Sequence, residues 1–443
     1  MTGGDAISAK MLRIVGASSL GTMLEYYDFL AYVALTATIS ALFFPADDKI
    51  VSSLLGAATF GVAYLARPVG TLIFSPMSDR IGRKKTFVVT LVIMGVATVA
   101  MGCLPTYASI GALAPAGLLF LRILQGIALG GEYGSAVVYV MEHSPVEKRG
   151  LYTSVLQSTA SMGLLLALVV VSALKLSLEA EAFTSWGWRV PFLLSAPIVL
   201  IATVIRLRMT ETPVFVELKQ AGRLSQSPLA DSLGSSVSWK SILIAMFGAQ
   251  GGTSVSLYTS IIYMLYFLQS VLKVDPTQAN LCLGVAVLIG APFYPIFGAV
   301  SDRRGRAHVM FFGIVLWMAA AYPAFAGIKA GVLDGAWAVV TAYISILAIL
   351  TAMIMAPLPA FIAECFPAKN RTTGFGLAQQ FGNIVFGGFL PLISLSLVGW
   401  TGNQLAGVGY SIASLIPCAI VTFFWGLKID GNRRQAGLQE ARL

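Results

Sequence analysis

An apolar stretch in the first half of the chain carries three residues that can bind or transfer charge. The run Gly117–Gly134, GLLFLRILQGIALGGEYG, contains Arg122, Gln125 and Glu132. A charge near the centre of a bilayer costs at least about 2.5–3.5 kcal/mol, so one that persists there usually faces a polar interior and serves a function. Glycines in the same run allow neighbouring helices to approach closely. The run is therefore predicted to form a wall of a solute pathway.

Two carboxylates, Glu25 and Asp28, lie in the first apolar run of the chain. They are three residues apart and share one face of a helix. Asp28 lies roughly 21 Å from a helix start near Ile14, and Arg122 lies roughly 15 Å from a helix start near Ala112 on the opposite side. The two charges are therefore expected to share a depth and to pair. Protonation of such an acid releases its arginine for another anion, so we expect both acids to couple transport to protons.

The alternative for Asp28 and Arg122 is a permanent ion pair that holds two helices together. Glu132 is predicted to be either a second proton-binding group or an interhelical hydrogen-bonding group. For Arg122 two roles stay open. Its planar guanidinium fits the two oxygens of a substrate carboxylate, or it only tunes the proton affinity of Asp28.

Neutral polar residues are predicted to form the other side of the binding site. The second half of the chain has almost no charge at depth and offers amides and hydroxyls instead. Each of these residues is also compatible with an ordinary interhelical contact. The candidate neutral residues of the two halves are Tyr26, Tyr27, Gln125, Gln157, Gln250, Tyr258, Gln379, Gln380 and Asn383.

Membrane helices must position these side chains. The chain of 443 residues is 57% hydrophobic and 11% charged. Its apolar runs approach the roughly 20 residues that cross a bilayer as a helix. This pattern predicts an all-α polytopic membrane protein with twelve transmembrane helices. The predicted spans are 14–43, 50–77, 85–104, 112–141, 152–175, 189–207, 241–272, 278–300, 308–328, 335–364, 372–398 and 404–427.

The distribution of Lys and Arg predicts the orientation of these helices. One side of the predicted spans holds most of the basic residues, and basic loops remain in the cytoplasm. Both termini are therefore predicted to be cytoplasmic. The net charge of +9 follows from this topology, and we expect no nucleic-acid partner. The basic residues of the opposite side are Lys49, Lys175, Arg189, Lys273 and Lys329.

An internal repeat divides the chain into two halves. The loop Asp79–Arg83, DRIGR, recurs 223 residues later as DRRGR, and the pattern Glu-x-x-Pro-x-x-x-Arg at Glu142 recurs 222 residues later at Glu364. Two motifs at nearly one offset indicate two parallel six-helix halves. The predicted domains are 1–207 for the first bundle, 208–240 for a cytoplasmic linker and 241–443 for the second bundle with its tail.

The duplicated loops are predicted to act as gates that stabilise the outward-open state. Their charges can pair across helix ends when the cytoplasmic side is closed and separate when it opens. Simple cytoplasmic anchoring accounts for some of the arginines but not for the two aspartates. The gating candidates in these loops are Asp79, Arg80, Gly82, Arg83, Asp302, Arg303, Gly305 and Arg306.

These motifs resemble the major facilitator superfamily over nearly the whole chain. The loop SPMSDRIGRKK is similar to the signature G-x-x-x-D-R-x-G-R-[RK]-[RK], with Ser75 in place of the first glycine. The resemblance implies a gating role, with Glu142, Arg149, Glu364 and Arg371 as further partners. Finer motifs resemble the metabolite:proton symporter family, which implies proton-driven import of organic acids or zwitterions such as betaine. They are LEYYDF at 24–29, ARPVG at 66–70, GGEYG at 130–134, WGWRVPF at 186–192 and ETPVF at 211–215.

We therefore predict a secondary transporter of the major facilitator fold that imports a small organic acid anion with protons by alternating access. The alternatives are an exporter or exchanger of the same fold, a betaine or zwitterion symporter, and a membrane solute sensor. An enzyme is not expected, because the sequence shows no cluster of nucleophile, base and metal ligands. We expect no metal and no cofactor beyond the coupling proton. The expected partners are an organic anion, protons and the lipid bilayer, and the protein is expected to be a monomer in the bacterial inner membrane.

Overall fold

The structure, a computed structural model, describes residues 11, 14–16, 18–19, 22–23, 26–28, 31–32, 34–45, 49–234 and 236–431. Within these residues every regular element is helical. Helices suit a bilayer because they satisfy all their backbone hydrogen bonds internally. The principal helices are α1 (Thr36–Phe43), α2 (Lys49–Ile81), α3 (Arg83–Cys103), α4 (Leu113–His143), α5 (Arg149–Ser177), α6 (Gly187–Leu207), α7 (Trp239–Val271), α8 (Thr277–Arg304), α9 (Arg306–Leu333), α10 (Trp337–Glu364), α11 (Ala368–Thr401) and α12 (Ala406–Gly431).

The helix lengths agree with the prediction of a polytopic membrane protein. Among the described residues nine helices are long and apolar enough to cross a membrane, namely α3, α4 and α6 to α12. Helices α2 and α5 have 33 and 29 residues and coincide with two further predicted spans. The remaining predicted span, 14–43, lies partly outside the described residues. Within it the structure places the helical residues 26–28 and α1.

The glycines of the polar run let α2 and α4 pack backbone against backbone. A Cβ added at Gly126 would overlap the carbonyl of Ala63, and one added at Gly130 would overlap the carbonyl of Arg67. The hydroxyl of Thr71 donates to the carbonyl of Gly130 over 2.6 Å. Small residues are what permit such close approach between membrane helices. The run therefore fixes the position of α4 within its bundle.

Helices α8 and α10 are each interrupted next to a proline. The helical segments of α8 end at Gly290 and resume at Phe293, next to Pro292. Those of α10 end at Met355 and resume at Leu358, next to Pro357. Proline cannot donate the helical hydrogen bond and clashes with the preceding turn. Further irregularity comes from π-helical turns in α7, α11 and α12.

The described residues divide into two compact units, unit 1 and unit 2. Unit 1 comprises the described residues up to His143 together with Thr159–Ser232 and Ala368–Leu377. Its core contains Tyr27, Leu118 and Trp188.

Unit 2 comprises Ser144–Ser158, Leu233–Pro367 and the described residues from Ala378 onward. Its core contains Met264, Trp317 and Phe325. Each unit therefore includes one short segment from the other half of the chain.

Candidate functional site

The carboxyl group of Asp28 lies in unit 1 among hydroxyl groups from two other helices. Its side chain is 1% exposed. The hydroxyl of Ser195 on α6 donates to Asp28 Oδ1, and the side chain of Thr98 on α3 lies beside the same carboxyl. A buried carboxyl needs such partners in either protonation state, because an unpaired one would be costly. The surroundings can therefore hold Asp28 both as an acid and as a carboxylate.

Arg122 hydrogen-bonds a neighbouring amide and not Asp28. Its Nη1 donates to Gln125 Oε1 over 2.7 Å, and Gln125 Nε2 donates to Thr98 Oγ1 over 2.7 Å. The guanidinium carbon lies 3.9 Å from the centre of the Tyr32 ring, a cation–π distance. Among the described residues, the side-chain hydrogen bond to Asp28 comes from Ser195. The direct ion pair expected from helix depths is therefore not formed between these two described residues.

Glu132 lies elsewhere on α4 and pairs with Arg206, at the end of the predicted span 189–207. Arg206 of α6 is 1% exposed and donates to Glu132 Oε1. The same Arg206 nitrogen donates to the carbonyl of Phe87, and its guanidinium carbon lies 3.5 Å from the centre of that ring. The second carboxylate oxygen of Glu132 is buried and has no hydrogen-bond partner among the described residues. This pair ties α4 to α6, which corresponds to the interhelical alternative for Glu132.

The aromatic candidates of unit 1 differ in their surroundings. Tyr27 is buried in the core of the unit, and its hydroxyl donates to the carbonyl of Pro191 over 2.9 Å. Tyr26 is half-buried beside Gly163. Glu25 lies outside the described residues. Tyr27 therefore has a clear packing role, and Tyr26 is the more accessible of the two tyrosines.

A cluster of neutral polar side chains lies in unit 2, where α7 and α11 meet. Gln250 Nε2 donates to Asn383 Oδ1 over 2.7 Å, and Ser254 Oγ donates to the same oxygen over 2.7 Å. Gln250 Oε1 is buried and has no hydrogen-bond partner among the residues of the described ranges. Gln379 and Gln380 are buried on the same helix as Asn383. Four predicted residues, Gln250, Gln379, Gln380 and Asn383, are thus buried on these two helices. Ser254, which was not predicted, joins Gln250 and Asn383.

The remaining neutral candidates also lie in unit 2. Gln157 is buried on the segment 144–158. Tyr258 is half-buried and packs against Gly387, where an added Cβ would be 2.7 Å from the tyrosine ring. Gln250 and Tyr258 both lie on π-helical turns of α7, which are frequent at functional sites.

The first duplicated loop surrounds a buried aspartate at the start of α11. Asp79 accepts hydrogen bonds from the backbone N–H groups of Thr372 and Thr373, at 3.3 and 2.9 Å, and pairs with Arg83 at 3.4 Å. Arg83 also lies 3.3 Å from Glu142, which Arg371 approaches to 3.0 Å. A carboxylate at a helix N-terminus satisfies unpaired N–H groups and favours the helix dipole.

The second loop repeats this arrangement in unit 2. Asp302 accepts from the backbone N–H groups of Gly150 and Leu151, at 2.7 and 2.9 Å, at the start of α5. Arg306 lies 2.9 Å from Asp302 and 2.6 Å from Glu364. Arg149 lies 4.0 Å from the same Glu364. The internal repeat of the sequence is therefore also a repeat of contacts.

The backbone conformation of both loops explains why each contains a glycine. Gly82 and Gly305 have φ values of 114° and 102°, which side chains with a Cβ rarely adopt. They allow the chain to turn sharply between α2 and α3 and between α8 and α9. Arg80 and Arg303, which were also candidates, lie exposed.

Two further carboxylates cap the helices that follow these turns. Glu211 accepts from the backbone N–H groups of Arg83 and Lys84, at 3.2 Å each, at the start of α3. Asp430 accepts from Ala307 N at 2.8 Å at the start of α9. The ETPVF motif includes Glu211, but nothing in the sequence connected it to α3. Neither cap was predicted, because each acid lies more than a hundred residues from its helix.

The family models and the sequence relatives that match the chain are those of transporters. Residues 14–238 match the model described as sugar (and other) transporter, and residues 242–442 match the major facilitator superfamily. A proline/betaine transporter of Salmonella typhimurium is 33% identical over 98% of this chain and 86% of its own length. The citrate-proton symporter of Klebsiella pneumoniae is 30% identical over 95% and 92%, and the alpha-ketoglutarate permease of Escherichia coli is 32% identical over 96% and 95%.

Solved structures show the same fold at lower identity. The proton:xylose symporter XylE bound to 6-bromo-6-deoxy-D-glucose has a TM-score of 0.76 and 17% identity, covering 94% of this chain and 96% of its own. A partially occluded inward-open form of XylE from E. coli has a TM-score of 0.66 and 18% identity, with coverage of 94% and 96%. The helical architecture, the repeated loops and the sequence relatives lead to one conclusion. The chain belongs to the major facilitator superfamily, in its metabolite:proton symporter family.

Proposed function

We propose that the protein imports a small organic acid anion together with protons by alternating access. The observation that carries the proposal is the buried carboxyl of Asp28, held by the hydroxyl of Ser195 in the same unit as the buried guanidinium of Arg122. An ionisable group at membrane depth usually marks an ion or substrate pathway. The proton is the coupling ion, and no other cofactor is needed. The protein acts in the bacterial inner membrane as a monomer with both termini in the cytoplasm.

The substrate class follows from the charges available to bind it. A carboxylate that enters a low-dielectric cavity needs a compensating charge, and Arg122 supplies a planar fork that remains positive when buried. In unit 2, the amides of Gln250 and Asn383 can hydrogen-bond neutral oxygen or nitrogen atoms of a solute. Relatives named for citrate and alpha-ketoglutarate support an organic acid.

A betaine or another zwitterion is the second candidate substrate. A relative at 33% identity is named a proline/betaine transporter. A zwitterion also presents a carboxylate to Arg122, so the arginine alone does not separate the two classes. Uptake assays with citrate, 2-oxoglutarate, shikimate, proline and glycine betaine in proteoliposomes separate them directly.

The central test is the loss of proton coupling in Asp28→Asn. With an inward proton gradient, the wild type is expected to accumulate one of these solutes above its external concentration. The asparagine variant cannot exchange a proton, so it should lose accumulation while it retains exchange of labelled for unlabelled solute. Glu217→Gln, on the exposed face of a cytoplasmic helix, serves as the control.

Two results would contradict the proposal. Undiminished uphill uptake by Asp28→Asn would exclude Asp28 as the coupling group. Efflux driven by the inward proton gradient in the wild type would instead indicate an exchanger or exporter of the same fold.

A further inference from the structure

Three buried polar side chains of unit 2 are joined by three hydrogen bonds where α7 and α11 meet. Gln250 Nε2 donates to Ser254 Oγ over 3.0 Å and to Asn383 Oδ1 over 2.7 Å. Ser254 Oγ donates to the same Asn383 oxygen over 2.7 Å. Gln250 is 3%, Ser254 1% and Asn383 9% exposed. Both amides lie well inside helices that are long and apolar enough to span a membrane, so this amide cluster is in the membrane interior.

Irregular backbone and a glycine place the side chain of Gln250 against α11. Gln250 lies in the π-helical turn Met246–Gly251, and Asn383 directly precedes the π-helical turn Ile384–Gly388. A Cβ added at Gly382 would be 2.7 Å from Cγ of Gln250, so a larger residue there would displace the glutamine. Single π-helical turns inside helices are frequent at functional sites. The local backbone of both helices therefore brings the two amides together.

The three hydrogen bonds leave one acceptor and one donor group of the amide cluster unused. Gln250 Nε2 gives both its protons and Ser254 its only one, while Asn383 Oδ1 accepts two bonds, one for each lone pair. Gln250 Oε1 is buried and has no hydrogen-bond partner within the described part of the chain. The three bonds also use neither proton of Asn383 Nδ2. A purely interhelical role accounts for the bonds between the helices but not for the buried oxygen of Gln250.

The unused atoms of the amide cluster match the chemistry of a hydroxyl group. A hydroxyl has a proton that Gln250 Oε1 can accept and lone pairs that Asn383 Nδ2 can donate to. A carboxylate only accepts, so it would leave the buried oxygen of Gln250 unpaired, which is costly in an apolar interior. The trimethylammonium group of a betaine neither donates nor accepts a conventional hydrogen bond.

We propose that the amide cluster binds a hydroxyl group of the transported solute, so that the substrate is a hydroxy acid. The acid part of this inference rests on the function proposed above, and the hydroxyl follows from the acceptor and the donor that Gln250 and Asn383 present. The amide cluster therefore determines specificity. It favours a hydroxy acid over the same acid without its hydroxyl, and it disfavours glycine betaine.

Pairs of acids that differ by one hydroxyl test this inference. Equilibrium binding to the purified full-length protein is measured by titration calorimetry, which needs no proton gradient. For at least one pair the wild type should bind the hydroxy acid about tenfold or more tightly, because the acid without the hydroxyl leaves buried polar atoms unpaired. The pairs are citrate and tricarballylate, malate and succinate, and 2-hydroxyglutarate and glutarate.

A variant of Gln250 then tests whether this preference comes from the amide cluster. Gln250→Met removes the acceptor and keeps a side chain of similar length. The preference for the hydroxy acid should fall to about twofold or less, whereas general damage to the protein would weaken both acids of a pair alike. Ser411→Ala is the matched control, because it removes another buried hydrogen bond of unit 2, the 2.8 Å bond from Thr259, and should keep the preference.

Two results would overturn the inference. One is a wild type that binds both acids of every pair equally or not at all, as expected if the amide cluster only joins helices or holds water. The other is an undiminished preference in a folded Gln250→Met.

Uptake measurements distinguish failure of this inference from failure of the proposed function. A wild type that prefers hydroxy acids but does not accumulate them under an inward proton gradient would contradict the proposed symport and leave the specificity of the amide cluster intact. A wild type that accumulates 2-oxoglutarate or glycine betaine but binds no hydroxy acid would support symport and overturn the inference.

Discussion

Among the described residues four arginines are almost completely buried, and the acceptors of their hydrogen bonds differ. Arg83, Arg122, Arg206 and Arg306 are at most 6% exposed. Three of them pair with glutamates, whereas the hydrogen bond described for Arg122 goes to the neutral amide of Gln125. Replacing a neutral acceptor by a carboxylate roughly doubles the strength of such a bond. A hydrogen bond from Arg122 to a substrate carboxylate would therefore be stronger than its bond to Gln125.

Substitution of Arg122 by lysine tests this role. If Arg122 binds the substrate carboxylate, Arg122→Lys should weaken equilibrium binding by about tenfold or more even at low pH, where Asp28 is protonated, because lysine lacks the planar fork. Arg208→Lys, an exposed arginine, is the control. Near-normal affinity at low pH, with a changed pH dependence, would mean that Arg122 only tunes Asp28.

The duplicated loops act through helix ends. Asp79 on α2 caps α11, and Asp302 on α8 caps α5. Each aspartate belongs to one half of the chain and its helix N-terminus to the other. A capping carboxylate contributes about 0.5–2 kcal/mol by satisfying N–H groups that the helix leaves unpaired. The gating hypothesis therefore depends on hydrogen bonds from backbone amides as well as on ion pairs.

Hydrogen exchange of these amides gives a reciprocal test. Asp79→Ala should accelerate exchange at Thr372 and Thr373 by roughly threefold to thirtyfold, while the amides of Gly150 and Leu151 stay protected. Asp302→Ala should have the opposite pattern. Each variant is thus the control for the other. Uniform acceleration at both sites would indicate general destabilisation, and unchanged rates would contradict capping.

At the scale of the whole molecule, the two compact units do not coincide with the two halves of the sequence. Segment 368–377 belongs to unit 1, and segment 144–158 belongs to unit 2. Each exchanged segment is held by one of the duplicated aspartates. If these loops are gates, the release of a segment from its unit is part of the transport cycle. A contact made in only one state shifts the population towards that state.

Distances between two spin labels in unit 1 test whether substitution of Asp79 shifts the population of conformational states. Spin labels at Ile81 and Lys369 are suitable, since their side chains are 47% and 49% exposed. The surface pair that Lys369 forms with Asp231 is worth little, so the label should be tolerated. Asp79→Asn should increase the share of long distances, and Glu217→Gln should not. An unchanged distribution in Asp79→Asn would argue against a gating role.

Sequence patterns were sufficient for the architecture because bilayer helices depend on local composition. Apolar length predicted the helices, because about 20 apolar residues are needed to cross a bilayer. The offset between the repeated motifs predicted that the two loops form equivalent contacts. It did not predict what Asp79 and Asp302 contact, because the capped helices begin more than a hundred residues away from them.

The partners of the buried charges were decided only by the tertiary structure. Depth along the helices suggested that Asp28 pairs with Arg122, but depth does not determine which face each helix presents to its neighbour. Helix rotation places Thr98 and Ser195 against Asp28 and leaves Gln125 between Thr98 and Arg122. The same cause places Arg206, at the end of the predicted span 189–207, against Glu132. Composition predicted which segments cross the membrane, and packing decided which of their side chains meet.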